Sequence, residues 1–374
     1  VRERDYGSDD YGTLKSLNVL GLILKKRGNY KESETLFRRS LQTREKLLGN
    51  DHPSTIIAMN NLGTLLKNMG DKDGAEIIMR RSLEICNRTL GNNHRSTFTV
   101  QNNLGLILTD KGEYEEAEPL YLKSLEGREK ILGKEHPSTI IALNNLGLLF
   151  NKKGDYNNAE KLYNRALEAS ERQLGEFHPS TLTLINNLGD LFRKKDDLVS
   201  AESFFERAVK GRENVLGVDH PKTMVSISNL AYLLKKKHNY KEALKLYKRI
   251  VISREKSLGK KHNKTLKSKQ SLAVTFRDFE CFEDSIKLFK EVITIRRECN
   301  DLEGLSSSLT ALGTTFANCG RYDEAILNFL ESIKIRRQLI YNGYESLKDL
   351  LTSTFEKLAY VYDKTGENDK ATIA

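Results

Sequence analysis

The chain has 374 residues, with 61 Lys and Arg against 51 Asp and Glu, a formal net charge of +10, and no tryptophan. No run of about 18 apolar residues occurs, which excludes a membrane-spanning helix, and no charged-then-apolar signal stretch opens the chain. Cys86, Cys281, Cys299 and Cys319 share no C-x-x-C spacing and read as free thiols of a reducing, cytoplasmic compartment. The first residue is a valine, which reads as a segment of a longer protein with flanking domains.

Residues 1–12 are expected to form a poorly ordered leader. From there a Leu-Gly or Leu-Ala marker recurs at Leu20-Gly21, Leu62-Gly63, Leu104-Gly105, Leu146-Gly147, Leu188-Gly189, Leu230-Ala231 and Leu272-Ala273, each step being 42 residues. Looser copies follow at Leu312-Gly313 and Leu358-Ala359. A period in this range means stacked supersecondary units that bury their apolar faces on one another. The spacing predicts repeats near 13–49, 54–91, 96–133, 138–175, 180–217, 222–259, 264–299 and 304–341, with a partial one at 346–374. One array replaces the two or three domains that length alone suggests.

Within a repeat, Leu143, Leu146, Leu149 and Phe150 recur at helical spacing, and Gly154 ends that helix. Ala159, Leu162, Tyr163, Ala166 and Leu167 mark a second helix, closed at Leu174-Gly175. His178-Pro179-Ser180 restarts the cycle, with proline preset for a first helical turn. The unit is a helical hairpin, helix A then helix B. Early in helix B stands a small residue: Ser33, Ala75, Ala117, Ala159, Ala201, Ala243, Ser285 and Ala325. Four residues on comes a large knob: Phe37, Met79, Tyr121, Tyr163, Phe205, Tyr247, Phe289 and Phe329. Both rows read as close packing of A on B. Repeat 7 puts Glu280-Cys281-Phe282 where the turn has Gly-x-Tyr, and repeat 8 follows a shortened link; both read as degeneration toward a terminal cap.

The pattern L-G-x-x-L, then G-x-Y-x-x-A, resembles the tetratricopeptide repeat. The lengthened form, with N-N-L and L-G-x-x-H-P, resembles arrays of the kinesin light chain and nephrocystin-3 type. The resemblance covers about residues 13 to 374. It implies an all-α, right-handed solenoid whose A helices line a concave groove, and a cytoskeletal or ciliary adaptor.

Candidate binding residues lie on helix A. Two before the marker Leu stand Asn18, Asn60, Asn102, Asn144, Asn186, Ser228 and Gln270; one before stand Val19, Asn61, Asn103, Asn145, Asn187, Asn229 and Ser271. Helix interiors disfavour asparagine, so a double ladder needs a reason. Amides both donate and accept hydrogen bonds: they could grip the backbone of an extended peptide, or one of each pair could tie adjacent repeats together. Five after the marker come Lys25, Lys67, Thr109, Asn151, Arg193, Lys235 and Arg277. This positive stripe would favour an acidic segment, and a flanking segment of the same protein is one candidate occupant.

Between Lys235 and Lys269, 14 Lys and Arg face only Glu242 and Glu255, a net of +12. The block includes Lys236, Lys237, Lys241, Lys245, Lys248, Arg249, Lys260, Lys261 and Lys264, and reads either as a docking face for a polyanion or as a solvated helix face. Nucleic acid is the weakest of the polyanion candidates, because no reading motif accompanies the charge. Six histidines, His52, His94, His136, His178, His220 and His262, also recur at 42. Helices packed 8–10 Å apart cannot bring them to one metal ion, so no metal or other cofactor is expected. No phosphate loop, zinc-protease or nucleophile-elbow motif is present. The sequence therefore reads as a non-enzymatic scaffold that binds an extended, acidic peptide. The alternatives are a sensor array within a larger multidomain protein, or a polyanion binder through residues 235–269.

Overall fold

The computed structural model describes residues 10–367. Most of the expected leader (1–9) and the last residues of the partial repeat (368–374) lie outside them. The chain divides into two compact units, 1–195 and 196–374, each described by itself.

Unit 1 holds α1 (Tyr11–Arg27), α2 (Tyr30–Leu48), α3 (Pro53–Met69), α4 (Lys72–Thr89), α5 (Arg95–Lys111), α6 (Tyr114–Leu132), α7 (Pro137–Lys153), α8 (Tyr156–Leu174) and α9 (Pro179–Lys194). Unit 2 holds α10 (Leu198–Leu216), α11 (Pro221–Lys236), α12 (Tyr240–Leu258), α13 (Asn263–Asp278), α14 (Phe282–Glu298), α15 (Leu302–Asn318), α16 (Tyr322–Tyr341), a short 3₁₀ turn (Glu345–Leu347) and α17 (Lys348–Thr365). Odd-numbered helices are A and even-numbered helices are B. Among the described residues there is no strand, and no helix is long and apolar enough to cross a membrane. The first helix starts at Tyr11, inside the expected leader, because the Asp10 carboxylate accepts from the Thr13 N–H at 2.8 Å and caps it.

Each hairpin closes on the knob. The small residues of helix B, Ser33, Ala75, Ala117, Ala159, Ala201, Ala243, Ser285 and Ala325, are 0% exposed, and the knobs are 0–4% exposed. A Cβ placed on Gly21, Gly63, Gly105, Gly147 or Gly313 would come within 2.6–2.9 Å of the partner knob. The knob thus fills the space a side chain would take. The turn from A to B uses a left-handed residue, glycine in repeats 1 to 4 and 8. Asp196, His238 and Glu280 hold the same conformation at φ 60–64°, so repeat 7 keeps the turn geometry without its glycine.

The link from B to the next A is also standardised. The Thr55 hydroxyl donates to the Gly49 carbonyl at 2.8 Å, and the His52 Nδ1 accepts from the Ser54 N–H at 3.1 Å. The same two bonds recur at the five following links, through Thr97, Thr139, Thr181, Thr223 and Thr265 and through the other five periodic histidines. Those histidines are N-caps.

Within each unit every helix packs on the next in sequence. In unit 1, α3, α5, α7 and α9 also touch one another in turn, while consecutive B helices stand further apart. Spacing that is tighter between A helices than between B helices makes the A face the inner side of that unit.

Gly147→Val should cost about 1–3 kcal/mol, because the added atoms meet a ring packed by its neighbours; the urea midpoint measures it. His136→Ala should cost about 1 kcal/mol, and His136→Asp, which keeps an acceptor, should recover most of it.

Candidate interaction surface on the A helices

The two asparagine ladders of unit 1 meet each other. The Asn61 Nδ2 donates to Asn18 Oδ1 at 2.8 Å, Asn103 to Asn60 at 2.7 Å, Asn145 to Asn102 at 3.1 Å and Asn187 to Asn144 at 2.8 Å. Asn144 also donates to Asn145 at 3.2 Å. One amide from each repeat therefore reaches into its predecessor. Val19 stands where the series begins, one step before the first of these donors. Asn102, Asn145 and Asn186 are buried, whereas Asn18, Asn60, Asn61, Asn103, Asn144, Asn187 and Asn229 are half-buried. An amide carries two N–H groups and an acceptor, so each keeps capacity beyond the seam. Ile57 and Ile141, four residues before Asn61 and Asn145 and on the same helix face, are 53% and 48% exposed. The sequence reading passed over them, although their step of twice 42 was visible.

The positive stripe is partly compensated. Lys25 Nζ donates to Thr64 Oγ1 at 2.8 Å across the first two repeats. Lys67 lies 3.2 Å from the Asp110 carboxylate, and Lys152 approaches the same carboxylate from the other side at 2.8 Å. Burial pushes the Asp110 carboxyl up, but Lys152 and Lys67 together outweigh it and hold it below its ordinary value. Burial, and after it the Lys67 ammonium, hold Lys25 below the ordinary lysine value. Thr109 and Asn151, at the equivalent positions of repeats 3 and 4, are buried. Arg193 pairs with Asp190 at 2.5 Å. In unit 2, Lys235 reaches Asp278 at 3.0 Å, and Arg277 reaches it at 2.8 Å.

The +12 block of residues 235–269 is partly compensated in space. Lys236 pairs with Asp196, Lys237 with Glu202, Arg249 with Glu213, Lys261 with Glu298, and Lys269 with both Glu255 and Glu291; Lys245 pairs with Glu242 on its own helix. Lys248 lies over the Phe276 ring at 5.4 Å. Among the described residues, Lys241, Lys260, Lys264 and Lys267 have no carboxylate partner. One of these pairs, Lys237–Glu202, follows a rule that also holds in unit 1. A lysine ending helix A reaches a glutamate 35 residues back in the preceding helix B, as in Lys111–Glu76, Lys153–Glu118, Lys195–Glu160 and Lys237–Glu202.

A row of buried arginines escaped the sequence reading. Arg44, Arg128, Arg212, Arg296 and Arg336, late in helix B, are 2–6% exposed. Arg128 donates to the Phe98 carbonyl in its own hairpin and to the Ser138 carbonyl of the next, clamping three helices. Burial lowers its pKa. Their spacing was legible, but repeats 2 and 4 interrupt it with Cys86 and Ser170. Burial pushes the Cys86 thiol up to about 11, which makes it inert. Among the described residues no group of three or more His, Cys, Asp or Glu is arranged to hold a metal ion.

A tetratricopeptide-repeat sequence model matches residues 12–88, 96–157, 142–214, 186–256 and 222–298, and a second model of the same description matches 305–340. No curated protein sequence matches the chain. Among solved structures, the apo quorum sensor NprR of B. thuringiensis is 15% identical with a TM-score of 0.64, covering 85% of this chain and 87% of that one. BtubC (BKLC) of P. vanneervenii is 20% identical with a TM-score of 0.54, covering 62% and 93%. The nearly identical TPR-like repeats assigned to a kinesin light chain of Podosopora anserina, in a singly substituted form, are 22% identical with a TM-score of 0.51, covering 56% and 98%. At these identities the likeness concerns the fold.

Asp110 joins repeats 2 and 4 only when ionised. Its contribution should be complete well above pH 3.8, the ordinary value, and be lost as pH falls through the lowered folded value. The carboxylate is partly exposed, so the gain is at most about 1 kcal/mol. Asp110→Asn should lower the denaturation midpoint at neutral pH, and the gap to the unaltered chain should close in acid.

Proposed function

Since the chain belongs to the tetratricopeptide-repeat family, whose arrays serve as protein-interaction scaffolds, we propose that its A-helix face captures an extended acidic segment of a partner protein, in the manner of a kinesin-light-chain adaptor. One observation carries the reading: across four repeats of unit 1, Lys25, Lys67 and Lys152 set three ammonium groups against one carboxylate, that of Asp110, which pairs with Lys67 and Lys152 while Lys25 donates to Thr64. Lys25 has no carboxylate partner among the described residues, and burial, with the Lys67 ammonium after it, holds its pKa below the ordinary lysine value. An acidic side chain laid along the line would supply that partner. The spare amide groups of the half-buried Asn18, Asn60 and Asn144 would hold the segment's backbone, and Ile57 and Ile141 would receive its apolar side chains. Carboxylates met at a half-exposed face act more on association rate and specificity than on raw affinity.

The polyanion reading through residues 235–269 has less support, because eight of those 14 cations already have carboxylate partners. Peptides selected from a randomised display library test the proposal. They should be rich in Asp and Glu, lose about tenfold in affinity when Lys25 and Lys67 are both changed to Met, and weaken steeply with salt. Selected peptides that bind equally well with Asp and Glu replaced by Asn and Gln would overturn the acidic-segment reading.

A further inference from the structure

Repeat 3 departs from its neighbours at four places; Gln101 and Gly127 line one cavity, and Pro119 lines the groove that adjoins it. Gln101 on α5 occupies a position held by Met59, Leu143, Ile185 and Ile227 elsewhere, each 0% exposed. Gly127 sits mid-helix in α6, where a Cβ would come within 2.1 Å of the Phe98 ring, so Phe98 lies against the α6 backbone. Pro119 lies inside α6, where it removes a backbone donor. Arg95 starts α5, whereas α3, α7, α9 and α11 start with proline.

Between α4, α5 and α6, on the B-helix side, is a cavity of about 470 Å³. Leu83, Phe98 and Leu120 supply its apolar walls, and Asn87, Lys123 and Glu126 line it too. It shares Leu83 and Leu120 with an adjoining groove of about 430 Å³ lined by Pro119 and Leu104. Gln101 lines the cavity, is 4% exposed, and its Oε1 accepts no hydrogen bond from the protein. A buried acceptor without a donor is destabilising. The apolar residues of four other repeats indicate that the packing does not require an amide there. The volume falls within the range of small-ligand sites, and Lys123 and Lys130 against Glu126 leave the lining a surplus of a single positive charge.

We propose that this cavity binds a neutral aromatic group carrying an O–H or N–H donor, its ring held by Leu83, Phe98 and Leu120 and its donor given to the Gln101 amide. The site lies on the opposite side of unit 1 from the A-helix face and does not depend on the peptide reading. The ring could belong to a free small molecule or to a tyrosine or tryptophan of a partner.

The test titrates 4-methylphenol, indole and toluene into the whole chain, following the methyl NMR signals of Leu83 and Leu120. Both donors should bind saturably, and toluene, which has the ring without the donor, about tenfold more weakly. Gln101→Leu, the residue of repeat 4, should fold and abolish the difference; Gln101→Met, the residue of repeat 2, is the second variant. N-acetyltyrosinamide binding as tightly as 4-methylphenol supports the site with a partner side chain as its source; its exclusion supports the site with a free molecule. Equal binding of toluene and 4-methylphenol, survival of the donor preference in both variants, or no binding by any probe would each overturn the proposal.

Discussion

The seating of a helix-B knob against the small residue of helix A sets the geometry of this molecule. With no side chain on Gly147, Tyr163 can lie against the backbone of α7 and be wholly buried. That contact fixes how near the two helices come, which side-chain size otherwise decides. It also uses up only one face of the hairpin. The other apolar face has to be covered by the next repeat, so stability passes from neighbour to neighbour along each unit.

Repetition then decides the fate of the polar groups. When identical hairpins stack at a period of 42, groups at a given offset in one repeat come beside groups of the next. Asn61 meets Asn18, and Lys153 meets Glu118. A chain with 30% charged residues can therefore bind much of its charge between repeats. Single pairs of this exposed kind are each worth little; their regularity makes them useful in holding register. Where the pairing is incomplete, as along Lys25, Lys67 and Lys152, a surplus of positive charge remains on the A face.

Departures from the repeat carry different information. Asp196, His238 and Glu280 replace glycine in the left-handed turn, yet the turn persists, so the loss is a local strain that the packing tolerates. Gln101 and Pro119 are different, because both fall in one repeat and line adjoining openings on its outer side. The wider spacing of B helices makes such openings possible there and not on the A face, where consecutive helices touch.

Read alone, the sequence determined the helical hairpin, its period and its knob and small-residue rows. Those follow from local helix periodicity, turn chemistry and exact repetition, all visible along one dimension. It also placed the histidines beside helix starts, although their acceptance of the N–H two residues on needed coordinates. The two uses of the asparagine ladder could not be separated on paper, because an amide suits a peptide backbone and a neighbouring amide equally well; the stacking distance put Asn103 within 2.7 Å of Asn60. For the block from Lys235 to Lys269, a docking face and a solvated helix face could not be told apart in the sequence either. Its compensating carboxylates, such as Glu202 and Glu298, lie some 35 residues away in the chain, and only the stacking of repeats brings them alongside. Tertiary structure likewise decided that the arginines of helix B are buried and that Gln101 faces a cavity, since burial is a property of what a neighbouring helix covers and not of the residue itself.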